Sequence, residues 1–245
     1  MTRATGSFLA VLAGAITAMT LTAAGALTAQ APADTSDARG STLDSTAGGR
    51  DNTRVQGTVF DSQGNPMPKV EMWVMNDDSP ADRLRMRTRG SGEYLVRSVG
   101  RLYTRDDVYG IRLRISFEAP GYRTVEIRTA VETNGLVDVY PILWKESEDP
   151  SDMTEWCLVL KGKVANAKGK GIKGVTVTVT DPGGSDLNVQ AITQKGGIYE
   201  ALLWRVPSIV RVTANSGGAE QQETLSFAGS PRTDVVAMVV QDFTF

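Results

Sequence analysis

The chain has 245 residues, with no histidine and a single cysteine, Cys157. The first absence removes the side chain that most often serves as a general base near neutral pH and most often binds transition metals. The second excludes an intramolecular disulfide, a thiolate cluster and a Cys–His pair. No lysine follows a serine by three residues, so the Ser-x-x-Lys route to a hydrolase is closed too. A carboxylate-pair glycosidase has acids enough, 28 Asp and Glu. It would also need a deep cleft, which a sandwich of roughly 90 residues forms poorly. A charge of one sign is lacking as well: 26 basic against 28 acidic residues give a net charge of -2 and no general pull toward nucleic acid or an anionic membrane. These absences predict a protein that is not an enzyme and carries no cofactor.

Long apolar runs are lacking except at one place. Arg3 and then Phe8 to Leu27 have the charged start and Ala/Leu/Thr/Val run of a secretory signal. Ala31 and Ala33 supply an A-x-A site before Asp34, and Ala29 offers a second cut. An uncleaved anchor is the competing reading, because the run approaches the roughly 20 residues that span a bilayer. The small-residue tail favours cleavage over residues 1–33, hence a secreted, periplasmic or cell-surface protein with no transmembrane segment after processing. Residues 34–53 have almost no large apolar side chain to repay the entropy of ordering and read as a flexible leader. Residues 146–155 carry five acids and one proline and read as a solvated linker. The chain thus divides into 54–145 and 156–245.

These two segments repeat each other. At an offset of 105 residues, Gly57, Val59, Gly64, Val70, Val74, Thr88, Gly92 and Tyr94 fall on Gly162, Val164, Gly169, Val175, Val179, Thr193, Gly197 and Tyr199. Near Pro120 the offset drops, placing extra residues in the first segment around Gly100 to Gly110. The periodicity is that of strands. Val70, Met72 and Val74 alternate with Glu71, Trp73 and Met75; Val175, Val177 and Val179 alternate with threonines; Ile111, Leu113, Ile115 and Phe117 alternate with Arg112, Arg114, Ser116 and Glu118. Turn clusters such as Asp181-Pro182-Gly183-Gly184 punctuate the runs, and no amphipathic helix is visible. Short, evenly spaced strands predict an all-β sandwich in each segment. The ending Val235 to Phe245 has the terminal phenylalanine of an outer-membrane barrel strand. The rest of the chain lacks a barrel's lipid-facing rows, so it reads as a closing sandwich strand.

The pattern G-x-V-x-D-x-x-G-x-P, then V-x-V, T-x-x-x-G-x-Y and P-G-Y is carried by Gly57, Val59, Asp61, Gly64, Pro66, Val70, Met72, Thr88, Gly92, Tyr94 and Pro120-Gly121-Tyr122. The second segment keeps Gly162, Val164, Gly169, Val175, Val177, Thr193, Gly197 and Tyr199. It has Asn166 for the aspartate, Gly171 for the proline and Gly217-Gly218 for the late Pro-Gly. Both segments resemble the carboxypeptidase regulatory-like domain, a transthyretin-like, Greek-key β-sandwich of secreted and surface bacterial proteins. The resemblance implies two tandem sandwiches with structural, spacer or binding roles. Related sandwiches bind carbohydrate, and the iron dioxygenases and hydrolases of similar topology depend on histidine. It carries no active-site residue over, because its motif residues are turn and core positions.

Candidate ligand-binding residues come from the first segment. Arg83, Arg85, Arg87 and Arg89 alternate, so a strand would set them on one face, with Arg112 and Arg114 on another strand. Such a row suits sulfate, phosphate or carboxylate groups of a polysaccharide or other envelope polymer. Alternatively it is a solvated face paired to Glu71, Glu93, Glu118 and Glu126; with 14 basic and 12 acidic residues in 54–145, little net field remains. Trp73 is out of phase with the inward row and could stack on a sugar or on a protein partner, unless Leu102, Tyr103, Val108 and Tyr109 fold over it. Trp144 and Trp156 flank the linker and are expected between domains, and Trp204 in the second core. Asp77, Asp78 and Asp82, or Asp106 and Asp107, offer oxygen ligands for calcium, but without a recognised spacing. A lysine–asparagine crosslink from Lys161 or Lys163 has no asparagine on the last strand to meet. Partners are therefore expected to be an envelope polymer or, through edge strands, a protein.

Overall fold

Alternating apolar and polar residues bury one row and expose the other, so each predicted strand brings its own half of a core. The computed structural model describes residues 52–104, 107 and 109–245. The signal, nearly all of the leader, Asp106 and Val108 lie outside the described residues. The fold is all-β. The first half contains β1 (Arg54–Thr58), β2 (Phe60–Asp61), β3 (Glu71–Asn76), β4 (Arg83–Arg87), β5 (Glu93–Val96), β6 (Gly110–Glu118), β7 (Val125–Glu132), β8 (Leu136–Asp138) and β9 (Ile142–Leu143). The second contains β10 (Trp156–Ala165), β11 (Thr176–Thr180), β12 (Asn188–Ile192), β13 (Ile198–Val206), β14 (Ile209–Ser216), β15 (Ala219–Ser226), β16 (Ala237–Val240) and β17 (Phe243–Thr244). Helical structure among the described residues is confined to short 3-10 turns.

Strand pairing is the same in both halves. The first has sheets β5-β1-β8, continued by β2-β9, and β4-β3-β6-β7. The second has β13-β10-β16, with β17 on the far end of β10, and β12-β11-β14-β15. In each half the last strands run parallel to the first, Arg54 to Gln56 against Leu136 to Asp138 and Leu158 to Lys161 against Ala237 to Val240. Val55, Met72, Val74, Tyr94, Leu113, Ile115 and Phe117 fill the space between the first pair of sheets. Leu158, Leu160, Val177, Val179, Tyr199, Leu203 and Val212 fill that between the second pair. The residues extra to the first half form the β5–β6 connection, where Val99 and Leu102 turn inward to the core.

The repeated residues hold equivalent bonds. Thr88 donates its hydroxyl to the Met67 carbonyl (2.8 Å) and accepts from Val70 N–H (3.0 Å). Thr193 does the same with Ile172 (2.7 Å) and Val175 (2.9 Å). Each ties the loop before β3 or β11 to the loop after β4 or β12, satisfying buried backbone groups. The buried Tyr94 hydroxyl donates to Val139 O and the Tyr199 hydroxyl to Gln241 O, both at 2.6 Å. Gly57 and Gly162 lie against those same carbonyls, Val139 O and Gln241 O, so close that a Cβ at either would overlap the oxygen. The last chain segment of each half therefore crosses the first strand at a spot kept bare by glycine and held by a tyrosine.

A third apolar cluster joins the halves. Phe60, Tyr140, Ile142 and Trp144 pack against Met153, Cys157, Val159 and Val236, with Leu202 and Trp204 at its margin. Trp204 is thus corrected from a core position to this junction, where its ring tilts against Phe60 at 5.7 Å. Trp144 does lie at the junction and donates to Thr233 O (2.6 Å), whereas Trp156 packs on the second core and Phe227, with ring centres 5.5 Å apart. The expected closing strand is broken: before β16, Asp234 to Val236 cross over to bond the first half, Ile142 N–H to Asp234 O (3.0 Å) and Val236 N–H to Tyr140 O (2.8 Å). The acidic stretch is not wholly solvated either, because Met153 is buried in the junction and Asp149 caps the turn at Ser151 N–H (3.0 Å). Both halves fall in one compact unit.

Candidate binding face and the cleft at the junction

The outer face of sheet β4-β3-β6-β7 is built by register. Trp73 stands across from Arg85 on β4 and Ser116 on β6, Met75 across from Arg83 and Arg114, and Glu71 across from Arg87 and Glu118. Inward, the same strands send Met72, Val74 and the fully buried row of β6. The alternation read from the sequence therefore places Arg83, Arg85 and Arg87 together on the exposed row of β4.

Arg89 does not join them. Strand β4 ends at Arg87 because Thr88 turns its hydroxyl inward, and Arg89 enters a tight turn closed by bonds with Glu93 and Gly92. Its side chain instead lines a cleft at the junction.

Trp73 is half-buried beneath its neighbours: the Arg83 guanidinium lies 4.4 Å and the Arg85 guanidinium 5.1 Å from the ring centre. The cover expected from the long loop is corrected. Leu102 and Tyr103 pack on the first core, and the Tyr103 hydroxyl meets that of Thr53 at 3.1 Å. Tyr109, by contrast, is 89% exposed. It edges a shallow hollow of about 500 Å³ with Asp78, Asp107, Arg112 and Glu132.

Carboxylates neutralise much of this face, Glu71 and Glu126 as expected and Asp77 and Asp78 in addition. Arg85 is bonded to Glu71, which Arg87 also approaches at 3.9 Å; Arg112 is bonded to Asp78; Arg114 meets Asp77 at 2.9 Å. Glu93 and Glu118 take no part in such pairs among the described residues, and Glu126 pairs with Arg128 (3.3 Å). The Arg85 guanidinium beside Glu71 holds that carboxyl below its usual range. Asp77 and Asp78 are thus arginine partners. No cluster of three or more Cys, Asp or Glu placed to hold a metal occurs among the described residues. Arg83 has no carboxylate within ion-pair distance among them, and its long side is committed to Trp73 instead.

The cleft at the junction escaped sequence reasoning. It measures about 300 Å³ and is lined by Gln56, Thr58, Arg89 and Glu93 of the first half, Tyr140 between, and Lys161 and Glu200 of the second. Lys161 and Glu200 are cross-strand neighbours, and Lys161 Nζ reaches Asp138 at 2.9 Å and Glu200 at 3.3 Å beside the Tyr140 ring. The sequence offers Lys161 only as a crosslink donor, and no local pattern connects it to Asp138 in the other half.

Several groups here and in the core titrate late. Burial pushes the Tyr94, Tyr140 and Tyr199 hydroxyls above their ordinary range. Burial alone would lower Lys161, but Tyr140, Asp138 and Glu200 outweigh it and hold the ammonium above its usual range. For each the folded value exceeds the unfolded one, about 10 for tyrosine and 10.4 for lysine. Their contribution to stability is therefore complete below those values and lost as pH rises past them. The urea midpoint is expected to stay level from neutral pH to about 9 and to fall by about pH 11, less steeply in Tyr199→Phe. A level midpoint at about pH 11 contradicts this assignment.

Cys157 is buried with its thiol pushed up, the environment of an inert core cysteine. No helix among the described residues is long and apolar enough to cross a membrane.

No protein-family model matches the chain, and no curated protein matches it. Among solved structures it is similar to the TIE protein of Bacillus anthracis, at 13% identity with a TM-score of 0.31 over 78% of this chain and 34% of that one. It is similar to a streptococcal ancillary pilin at 12% identity and a TM-score of 0.29, over 78% and 62% of the two chains. The shaft pilin SpaA of Lactobacillus rhamnosus GG aligns at 10% identity with a TM-score of 0.27, over 77% and 97%. The chain spans about a third of the first of these and under two thirds of the second, and likenesses this slight decide neither its fold nor its function.

Proposed function

We propose that this is an exported, non-catalytic structural and binding protein, made of two tandem carboxypeptidase regulatory-like sandwiches joined into a stiff unit that offers its arginine face to an anionic envelope polymer. The shared strand order, the paired threonine and tyrosine bonds and the bare glycines support the tandem reading. The observation that carries the binding reading is Arg83. Its guanidinium lies over Trp73 at 4.4 Å and, among the described residues, has no carboxylate partner, so its N–H donors are available at the rim. Arg87 stands four residues along the same exposed row, beyond Arg85, with only a long contact to Glu71. Together they suit two carboxylate or sulfate groups on a chain lying along β4, about 13 Å apart at the rise of a strand. Trp73 serves as the platform that orients Arg83, rather than as a stacking surface for sugar.

Retention on immobilised alginate, with neutral dextran as control, tests this. The native protein is expected to bind alginate more weakly as salt rises. Arg83→Ala combined with Arg87→Ala is expected to lower affinity about tenfold or more, since each charge-assisted bond contributes about 1.5–3 kcal/mol. Equal binding by the double variant, or none by the native protein, removes the site.

Partner recognition by strand addition is the second reading. It is favoured by β15, an eight-residue edge strand exposed along most of its length, although Glu220 and Glu223 on it discourage pairing.

A further inference from the structure

The cleft between the halves combines features that the arginine face does not have. Its walls come from both halves and carry Arg89 and Lys161 against Glu93 and Glu200, with Asp138 behind Lys161. Lys161 is already engaged by Asp138 and Glu200, and Gln56 directs its amide to Asp138 at 2.9 Å, so the floor is held in place by bonds within the protein. Tyr140 contributes a buried ring beside the Lys161 ammonium. Arg89 and Glu93 are exposed at the mouth on the two ends of one tight turn, and neither forms an ion pair among the described residues.

With Lys161 already neutralised by Asp138 and Glu200, the floor offers a net anion no free cation. Carboxylates that accept and a guanidinium and hydroxyl that donate, set around one aromatic wall, match a ligand whose every hydroxyl both donates and accepts. The volume is at the lower end for ligand sites, enough for one or two sugar rings. We propose that this cleft binds a small neutral saccharide unit, with Glu93 and Glu200 accepting from its hydroxyls, Arg89 donating to them and Tyr140 lining one side. Because Lys161 and Glu200 belong to one half and Arg89 and Glu93 to the other, the ligand would occupy a site that exists only while the halves are docked. This site is independent of the arginine face.

Amide NMR titration of the whole protein with cellobiose, lactose and N,N′-diacetylchitobiose tests it. At least one sugar is expected to give saturable shifts confined to Gln56 to Thr58, Arg89, Glu93 to Leu95, Tyr140, Lys161 and Glu200. Arg89→Ala and Glu93→Gln, both at exposed positions and checked by unchanged spectra elsewhere, are expected to weaken that binding about tenfold. Arg83→Ala with Arg87→Ala is expected to leave it unchanged, which separates failure here from failure of the anionic-polymer reading. Absence of saturable shifts with all three sugars overturns the proposal, as does binding that survives both cleft variants. Inorganic phosphate producing the same shifts overturns the assignment to a neutral ligand.

Discussion

Replacing Gly162 with alanine is expected to unfold the second half or to cost it about 3 kcal/mol or more, at the upper end of what overpacking costs. The added methyl would overlap Gln241 O and press on the Tyr199 ring. Relief requires the 241–243 segment to move off β10, which also breaks the Tyr199 hydroxyl bond and the pairing of Phe243 with Val164. Gly57→Ala meets the same obstacle at Val139 O and Tyr94. Gly90→Ala is the matched control, since a Cβ there meets nothing within 4 Å. Urea unfolding of the three variants measures the difference. A Gly162→Ala protein as stable as Gly90→Ala would show that the crossing is not packed as described.

Trp144→Ala is expected to cost about 3–5 kcal/mol, the range for removing a large buried aromatic side chain. It would act at the junction rather than in either core. Trp144 is 6% exposed, packs in the shared cluster and donates to Thr233 O across the halves. Its loss leaves that carbonyl without its donor and opens a void beside Ile142 and Val236. The native protein is expected to melt as one transition, because the halves share this cluster, the 140–142 to 234–236 backbone bonds and the Lys161–Asp138 pair. In the variant the transition is expected to split into two on calorimetry, each half retaining its own core. A single unshifted transition would mean that the junction contributes nothing to cooperativity.

The strands themselves were legible because their cause is local. Val70–Met72–Val74 and Val175–Val177–Val179 alternate, and a strand turns alternation into faces without reference to anything distant. The repeat was legible for a different reason: Gly57 and Gly162, Thr88 and Thr193, and Tyr94 and Tyr199 recur because each makes one specific contact that other residue types cannot make.

What stayed hidden depends on contacts between segments far apart in sequence. Trp204 follows Tyr199 in a strand and reads as core, yet its phase on β13 puts it on the outer face, which the first half happens to cover. Arg89 keeps the alternation of Arg83 to Arg87, but Thr88 ends the strand by bonding backbone on both sides. The arginine partners Asp77 and Asp78 sit in a turn, where sequence spacing gave no hint of register. The cleft is built from Arg89, Tyr140 and Glu200, which no local pattern connects.

The account depends most on the two halves being held in one fixed orientation by their shared cluster, since both the stiffness of the unit and the cleft follow from it. Residual dipolar couplings of the backbone amides, measured on the intact protein in a single alignment medium, test this directly. One alignment tensor is predicted to fit residues of both halves in the described arrangement. Two tensors of different magnitude or direction would show halves that move independently and would contradict it.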